Sequence, residues 1–386
     1  MSDCDVLIAG AGPAGCAAAI PLAKAGLRVR MIEHHNKPRF SVGETLPPRA
    51  VDQAEALLGP ALEDCAYRTR GTVSVWGDEA AVIQDFFFTP KQYGLCVDRG
   101  GFDAALRARA IAAGAELSQG ARITEIRQLP DQSWYVEREH QGARRHGTCR
   151  VLIDATGRCA VLARLLGMER QADDTLFAYA QRFRTDAITA DQDRLPRIEA
   201  LPFGWCYSTV LPGQPDTRIV VLHTDRDQPE AWLARDPEGF LSLLKQSTLI
   251  RPLLEAHAYR PEGRICGAQA GQSRQTDVAP AGFFTVGDAA QCYDPLSSQG
   301  ITEAIASGTY AATVIAKALS RKPGKVDLDK AQSKYAARQA QAWHSYADSY
   351  TRIYAQEWRW PAAPFWLRRQ GQATPPIPPQ SRTACL

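Results

Sequence analysis

The first apolar run of the chain predicts a buried strand close to the N-terminus. Residues 5–9 read DVLIA, and a short continuous apolar run is typical of a parallel strand that is covered on both faces. Residues 16–25 are mostly small and apolar, which predicts a closely packed helix, and residues 27–32 predict a second strand ending at Glu33. Pro21 falls inside the predicted helix and is expected either to kink it or to mark an early N-terminal turn.

Two further periodicities appear along the chain. Alternating, β-branched and aromatic residues predict strands at 70–76, 134–138 and 218–223, whereas helical spacing predicts helices at 102–113 and 301–318. Residues 327–358 predict one long helix or a pair, because aromatic side chains recur at helical spacing at positions 335, 343, 346, 350 and 354. We interpret this stripe as core packing, with a docking face as the alternative.

The turn between the first strand and the first helix reads GAGPAG. Gly10 permits a tight turn, Gly12 lets the backbone approach a pyrophosphate, and Gly15 lets the helix lie against the sheet. Exposed N–H groups and the helix dipole then attract phosphate. Glu33 lies 23 residues after Gly10, where it can accept hydrogen bonds from a ribose diol. The predicted dinucleotide site comprises Gly10, Gly12, Pro13, Ala14, Gly15 and Glu33.

Two later strands also end in glycine and an acidic residue. Residues 151–158 read VLIDATGR and residues 283–290 read FFTVGDAA, after which PLSSQG leads into the helix predicted at 301–318. Alone, Gly287-Asp288 would indicate only a strand-end turn. Here its carboxylate could hold a ribityl chain, and the following helix N-terminus would stabilise reduced flavin by about 0.3–2 kcal/mol. The predicted flavin contacts are Asp154, Gly157, Gly287, Asp288, Pro295, Ser298, Gly300 and Ile301.

Composition excludes several classes of protein. The 386 residues suffice for two domains, or for one domain with an insert, at ~100–200 residues each. A net charge of +3 disfavours nucleic acid as a partner. The ten cysteines include no C-x-x-C pair, so we predict no metal site, and their scatter fits reduced thiols in a cytoplasmic protein. We predict no signal peptide, because the start, MSDCD, is acidic and has no cationic region. We predict no membrane-spanning segment, because no apolar run reaches ~18 residues without a charge.

The three glycine motifs together resemble those of the flavoprotein monooxygenases of the para-hydroxybenzoate hydroxylase fold. GAGPAG with Glu33, DATGR, and GDAAQCYDPLSSQGI are similar to that group's FAD fingerprints in order and separation, and the resemblance covers about residues 1–345. It implies non-covalently bound FAD, with Asp288 on the ribityl chain. It also implies that Arg99, in the segment DRGGFD, lies near the cofactor phosphates; the alternative for Arg99 is a salt bridge with Asp103.

The same resemblance implies the domain organisation. We expect an α/β protein with a discontinuous Rossmann-like FAD domain (1–70, 97–175 and 268–345) and an inserted β-rich substrate domain (71–96 and 176–267). A C-terminal helical segment rich in tryptophan and arginine (346–370) and a flexible proline-rich tail (371–386) complete the chain. Because tryptophan and arginine are enriched in interaction hot spots, that C-terminal segment is expected to suit a surface that receives a polypeptide, with an interfacial membrane contact as the alternative.

Two motifs resemble those of the halogenase-like branch of this group. Gly43 and Glu44 begin GETLPP, which is similar to the G-E-[ST]-x-x-P stretch of flavin-dependent halogenases and hydroxylating relatives, and we assign both residues to the cofactor site. Residues 204–212, GWCYSTVLP, resemble a degenerate W-x-W-x-I-P signature. Halogenases require a positioning lysine about thirty residues after G-E-[ST], and residues 38–90 contain none, which disfavours halogenation.

A closer resemblance is to flavoproteins that oxygenate a tryptophan of a partner protein on the route to cysteine tryptophylquinone. GWCYSTVLP and RWPAAPFWLRR (359–369) carry it. It implies a monooxygenase that uses O₂ through a flavin C4a-hydroperoxide, with NAD(P)H or a separate flavin reductase as electron donor. The expected partner is a tryptophan-bearing protein or peptide, with a small aromatic substrate as the alternative. Candidate substrate-pocket residues are Trp205, Tyr207, His223 and Asp225, against plain core or surface roles.

Two other functions stay open at this point. A reductase of the geranylgeranyl-reductase type shares the G-E and DATGR patterns and would need no O₂. A non-catalytic, flavin-stabilised escort would use the tryptophan- and arginine-rich segment to bind a partner, although three intact FAD fingerprints argue against a role without catalysis.

Overall fold

The computed structural model describes residues 3–36, 43–172, 174–186, 194–320 and 325–371. Its strands are β1 (Cys4–Ala9), β2 (Val29–Glu33), β3 (Thr45–Leu46), β4 (Ala66–Thr69), β5 (Gly71–Val75), β6 (Val82–Asp85), β7 (Gly94–Val97), β8 (Glu116–Gln119), β9 (Ala121–Gln128), β10 (Trp134–His140), β11 (Ala143–Asp154), β12 (Arg170–Gln171), β13 (Leu176–Arg184), β14 (Arg197–Leu201), β15 (Gly204–Leu211), β16 (Gln214–Asp225), β17 (Arg260–Gln269), β18 (Ser273–Gln275), β19 (Phe283–Thr285) and β20 (Gln291–Cys292). Its helices are α1 (Pro13–Lys24), α2 (Pro48–Leu58), α3 (Arg99–Ala112), α4 (Val161–Leu165), α5 (Pro229–Leu233), α6 (Pro237–Leu244), α7 (Ile250–Ala256), α8 (Gly300–Leu319), α9 (Lys325–Tyr354) and α10 (Pro364–Arg369).

The first large sheet has the order β8-β2-β1-β11-β10-β9, and β19 also pairs with β11. Strands β8, β2, β1, β11 and β19 run parallel, and β9 and β10 add an antiparallel hairpin. The apolar run that predicted β1 is buried because helices cover the sheet. Helices α1 and α8 lie so close that a Cβ on Gly308 would collide with the carbonyl oxygen of Ala14.

The second large sheet has the order β17-β13-β16-β15-β14-β5-β6. Its pairs are antiparallel except for β14 with β5, which is parallel. One face packs on α5, α6 and α7 through a cluster that contains Phe183, Leu222 and Phe240. Part of the opposite face packs against the C-terminal helices, where Trp205 meets Tyr354 and Trp366.

The predicted fold class is confirmed: the chain is an α/β protein with a Rossmann-like sheet, a second β-rich layer and C-terminal helices. The strands predicted at 70–76, 134–138 and 218–223 correspond to β5, β10 and part of β16, and the helices predicted at 102–113 and 301–318 to α3 and α8. Helix α1 continues past Pro21 to Lys24. The long C-terminal stretch is one helix, α9, and Tyr335, Tyr346 and Tyr354 are buried, as core packing requires. The proline-rich tail from residue 372 lies outside the described residues.

Candidate functional site

A cleft of about 2500 Å³ separates the two large sheets. On one side it is lined by loops at the carboxyl ends of β1, β2 and β11, which lie at the same edge because Ala9 pairs with both Ile32 and Asp154. On the other side it is lined by side chains from the middle of the second sheet. Ligands of open parallel sheets bind at such a carboxyl edge, so the cleft is the candidate site.

The glycine turn after β1 has the geometry of a phosphate cradle. Gly10 has φ +101°, and a Cβ there would collide with the carbonyl oxygen of Ala155. A Cβ on Gly15 would collide with the carbonyl oxygen of Gly10, so this position holds α1 against the turn. Gly12 has no atom within 4 Å of a Cβ and lies at the start of α1, where no side chain caps the helix. Its backbone is therefore open to an anion in the cleft.

Glu33 is held at the end of β2 with its carboxylate on the cleft wall. Its Oε2 accepts a hydrogen bond from the N–H of Ala11 at 2.9 Å, and its Oε1 accepts one from the N–H of His35 at 2.9 Å. Each of these two oxygens can accept a second hydrogen bond, so the Glu33 carboxylate can still accept hydrogen bonds from the hydroxyl groups of a ribose.

Asp154 has a different role from Glu33. It is fully buried and its Oδ2 accepts from the N–H groups of Leu162 and Ala163, both at 2.9 Å, while Oδ1 accepts from the hydroxyl of Thr156 at 2.6 Å. Burial raises the pKa of this carboxyl, and those donors oppose the rise. Asp154 thus fixes the loop that carries Gly157 into the cleft, and does not itself line it.

Two arginines on the cleft lining, Arg158 and Arg99, each lie next to an aspartate. Asp288 faces the cleft, with its carboxylate 3.5 Å from Nε of Arg158. Arg99 pairs with Asp103 at 3.3 Å and still lines the cleft, so the salt bridge leaves its predicted contact with the cofactor phosphates open. A Cβ on Gly43 would lie 3.4 Å from the Arg99 guanidinium, which places GETLPP beside this cation.

Helix α8 begins at the cleft. Ser298 adopts φ +50°, and Gly300 starts a helix of 20 residues whose N-terminus no side chain caps and whose first residues, Gly300 and Ile301, line the cleft. Gly287 lies behind the lining, because a Cβ there would be 2.7 Å from Cβ of Ala14. Of the predicted cofactor residues, those on the cleft lining are Gly10, Gly12, Pro13, Ala14, Glu33, Gly43, Glu44, Arg99, Gly157, Asp288, Pro295, Ser298, Gly300 and Ile301.

The opposite wall is aromatic. Trp205 and His223, paired across β15 and β16, stack with ring centroids 3.6 Å apart and planes 8° apart, and both line the cleft together with Tyr207. Burial lowers the pKa of His223 to about 3, so its imidazole is neutral at physiological pH. Three of the four predicted substrate-pocket residues therefore meet on one wall.

Asp225, the fourth, does not line the cleft. Its carboxylate is fully buried and pairs with Arg369 at 2.7 Å and Arg368 at 2.8 Å. Both arginines come from the C-terminal segment, so Asp225 anchors α10 to the second sheet. A buried carboxylate committed to two guanidinium groups is not available to a substrate N–H.

The C-terminal segment is only partly buried, and its expected role as a surface that receives a polypeptide stays a prediction. Phe365 and Trp366 are fully buried, and the indole N–H of Trp366 donates to the carbonyl oxygen of Leu201 at 3.0 Å. Trp358 differs from these two residues, because 68% of its surface is exposed to solvent. Tryptophan and arginine content alone does not distinguish an interface from an anchor, because both bury the same groups.

Sequence reasoning missed the support behind the aromatic wall. The indole N–H of Trp205 donates to the hydroxyl of Tyr354 at 3.2 Å, and that hydroxyl donates to Oδ2 of Asp294 at 2.8 Å. Burial raises the pKa of Asp294 to about 7. The helical aromatic stripe marked Tyr354 as a core residue, but no pattern connects it to positions 149 residues away.

Glu44 acquires a property beyond its predicted cofactor contact. It is 3% exposed, lines the cleft, and accepts from the N–H of Gly43 at 3.1 Å. Burial raises its pKa to about 7. Burial, and then the nearby Glu44 carboxyl, raise the pKa of Tyr207 well above its ordinary value, so Glu44 lies next to the aromatic wall.

Two kinds of feature are absent from the described ranges. None of the helices there is both long and apolar enough to span a bilayer. Over the same ranges, histidine, cysteine and acidic side chains form no cluster that could hold a metal ion.

Comparison with known proteins places this geometry in a family. Residues 3–345 match the family described as FAD binding domain. LodB of Marinomonas mediterranea, which carries the description FAD-dependent oxidoreductase, is 27% identical over 96% of this chain and 97% of its own. A menaquinone reductase of Mycobacterium tuberculosis is 31% identical over 81% of this chain and 76% of its own.

Solved structures agree with the fold. The flavin-dependent halogenase CmlS matches with a TM-score of 0.82 at 23% identity, covering 97% of this chain and 68% of CmlS. The peptidyl tryptophan dihydroxylase QhpG, described as essential for tryptophylquinone cofactor biogenesis, matches with a TM-score of 0.75 at 25% identity, covering 96% of this chain and 79% of QhpG. Halogenases and hydroxylases are thus similarly close to this chain.

Proposed function

This chain belongs to the FAD binding domain family, and on that premise we propose that it hydroxylates a tryptophan of a partner protein during quinone cofactor biogenesis. As an FAD-dependent oxidoreductase it shares its fold with monooxygenases and halogenases. The observation that carries the substrate proposal is the 25% identity to a peptidyl tryptophan dihydroxylase over 96% of this chain. The aromatic wall of the cleft, with Trp205 stacked on His223, supports it because an indole stacks well on such a surface.

FAD supplies the oxygen chemistry when it is bound and reduced, with O₂ as co-substrate. The glycine turn and Glu33 would hold its nucleotide half, and Asp288 its ribityl chain. The N-terminus of α8 would stabilise negative charge on the flavin ring. The aromatic wall would orient the indole and keep water away from it.

Glu44 is the group we propose to receive the proton. When an aromatic carbon gains a C–O bond, it must lose its C–H proton to regain aromaticity, and a nearby carboxylate can accept that proton. With its pKa raised to about 7 by burial, Glu44 is about half ionised at neutral pH and suits this transfer.

The test is oxygen incorporation into a tryptophan peptide. The FAD-loaded enzyme, a reductant (NAD(P)H, or reduced flavin from a separate reductase), isotopically labelled O₂ and the peptide are combined, and the peptide is analysed by mass spectrometry. We expect the tryptophan to gain one or two labelled oxygen atoms. Glu44→Gln should slow this reaction at least about tenfold, equivalent to about 1.4 kcal/mol, when the rates are compared per molecule of bound FAD. Label absent from the tryptophan under either reductant would refute the proposed hydroxylation.

Halogenation is the second candidate, and one observation favours it. Lys91, one residue beyond the interval that lacks lysine, lies on the cleft lining. Its ammonium, however, is paired with Asp52 at 2.6 Å and Glu55 at 2.7 Å. Those carboxylates raise the pKa of Lys91. They also neutralise the ammonium group that would have to position a halogenating species. Chloride- or bromide-dependent modification of the peptide, lost in Lys91→Met, would favour this candidate over hydroxylation.

A reductase is the remaining alternative, since the 31% identical relative is a menaquinone reductase. A requirement for O₂ distinguishes it from the hydroxylase and halogenase candidates. A reductase turns over substrate without O₂, so anaerobic consumption of reductant in the presence of a quinone would support it.

A further inference from the structure

The cleft face of the second sheet continues to an open edge. Paired residues of adjacent strands share a face. His223 pairs with Trp205, and Ile198 with Tyr207, and all four line the cleft. Beyond β14, Ile198 pairs with Ser74 on β5, and Thr72 on the same strand pairs with Gln84 on β6. Since Thr72 and Gln84 also line the cleft, one continuous surface runs from the aromatic wall to β6.

Strand β6 is the last strand of this sheet in the described part of the chain. The N–H of Phe86 donates to the carbonyl oxygen of Arg70 at 2.8 Å. Because antiparallel bonding alternates, Val82 and Gln84 also bond to β5, whereas Ile83 and Asp85 direct their N–H and C=O groups away from the sheet. Those groups form the template that an additional strand requires.

The side chains around this edge are exposed and apolar. Val82 is 58% exposed and Ile83 64%, and next to them Phe87 is 61% and Phe88 90% exposed. Phe86, between the strand and these two rings, turns inward and lines the cleft. Exposed aromatic rings beside a cleft mark a binding surface more often than a solvated one.

Charge at the edge is unequal. Asp78 and Glu79 are exposed just before β6, whereas the exposed carboxylate of Asp85 at its other end has the exposed Arg70 nearby. The Val82 end is therefore the acidic end. It favours lysine or arginine in whatever segment pairs there.

We propose that the open edge of β6 receives an extended, tryptophan-bearing segment of a partner protein as an added strand. The proposal rests on the proposed function and specifies how its substrate docks. Main-chain groups of Ile83 and Asp85 would bond the segment, and Phe87 and Phe88 would cover its apolar side chains. Side chains opposite Val82 and Gln84 would share the cleft face, so the tryptophan belongs opposite one of these two, with basic residues toward Val82.

The experiment uses the FAD-loaded full chain and a labelled synthetic peptide of about nine residues, with a central tryptophan between alternating valine and threonine and a lysine at each end. Binding is measured by fluorescence anisotropy, without reductant. Ile83→Pro removes an edge N–H that β5 does not use, and Ile83→Ala is its control because it trims the side chain and keeps that N–H. We expect Ile83→Pro to weaken binding by about five- to tenfold relative to Ile83→Ala.

A second probe does not depend on the folding of a variant. The same peptide, methylated on alternate backbone nitrogens, cannot donate from one edge and should bind the unaltered enzyme weakly. Phe88→Ser should reduce binding of the unmethylated peptide severalfold. Equal binding of both peptides, equal binding by the two Ile83 variants, or no binding at all would overturn strand addition. Edge-dependent binding that yields no oxygenated product once reductant and O₂ are added would instead overturn the proposed hydroxylation and leave the docking site standing.

Discussion

The two walls of the cleft are built from different parts of the chain and by different means. The wall that we propose to hold FAD, here the cofactor wall, consists mainly of main-chain groups at strand and helix ends, as at Gly12 and Gly300, where no side chain caps the helix. The aromatic wall, which we propose to receive the substrate and here call the substrate wall, consists of side chains in the middle of strands, as at Trp205 and His223. A wall of backbone tolerates most substitutions except those that change the path of the chain. A wall of side chains can change its ligand without changing the fold.

The supports of the two walls differ in the same way. Close backbone contact holds the cofactor wall, with Gly10 and Gly15 packed directly against neighbouring carbonyl groups. Charged and polar side chains hold the substrate wall from behind, through Asp225 with Arg369 and through Trp205, Tyr354 and Asp294. Damage to the first should abolish FAD binding, whereas damage to the second should spare the cradle and loosen the wall that faces the substrate.

The largest effect is expected at Gly10. Gly10→Ala forces a Cβ into the carbonyl oxygen of Ala155 at φ +101°, which should lower the free energy of unfolding by more than about 4 kcal/mol and eliminate bound FAD. Gly12→Ala is the matched control, since its Cβ meets no protein atom within 4 Å. It should cost about 1 kcal/mol or less of stability while weakening FAD binding at least about tenfold. Denaturant unfolding measures the stability of the two variants, and flavin absorbance measures their bound FAD. Equal stability of Gly10→Ala and Gly12→Ala would contradict the view that close backbone contact at Gly10 holds this wall.

The next effect is expected at the buried ion pair behind the substrate wall. Arg369→Met leaves the carboxylates of Asp174 and Asp225 buried with one cation fewer and should cost about 3–5 kcal/mol. Asp227→Asn also removes an ion pair of this segment, but its side chain is 53% exposed, so the cost should stay below about 1 kcal/mol. Denaturant unfolding of both variants decides this. Similar small losses in the two would show that α10 is not anchored by this charge cluster.

A pH effect of intermediate size is expected from Asp294. Burial raises its pKa to about 7 in the folded chain, against about 3.9 for an ordinary aspartate. The native state therefore favours the protonated form, so the contribution of this group to stability is complete below about pH 4 and is lost as the pH rises through about 7. The unfolding free energy of the native sequence should fall relative to that of Asp294→Asn between about pH 5 and pH 8. A difference that stays constant over this range would exclude the effect.

The smallest effect separates the exposed and buried tryptophans of the C-terminal segment. Trp358→Ala should change the free energy of unfolding by no more than about 0.5 kcal/mol, because its side chain is largely in solvent. Trp366→Ala, in the same segment, empties a fully buried site and should cost about 3–5 kcal/mol. Thermal unfolding of both variants measures this difference. A large loss of stability in Trp358→Ala would show that Trp358 makes a structural contact despite its exposure.

The cofactor wall was largely predictable from the sequence because its chemistry is local. Gly10, Gly12 and Glu33 lie within one strand–turn–helix–strand unit, and a turn of that kind requires glycine at fixed spacing wherever it occurs. The same holds for the loop before α8. The sequence could not show that Asp154 and Gly287 support the lining from behind. A strand-end aspartate or glycine looks the same in a sequence whether it contacts a ligand or a neighbouring loop.

The sequence alone determined the fold class, the glycine turn after β1 and most of the secondary structure, since these follow from periodicity and from short motifs. Only the tertiary structure decided that Asp225 pairs with Arg369 away from the cleft, that Trp366 is core while Trp358 is exposed, and that β6 forms an open edge continuous with the aromatic wall. The reason is physical. Burial and pairing are properties of residues brought together from distant parts of the chain, and they change what a carboxylate, an indole or an imidazole can do without changing its place in the sequence.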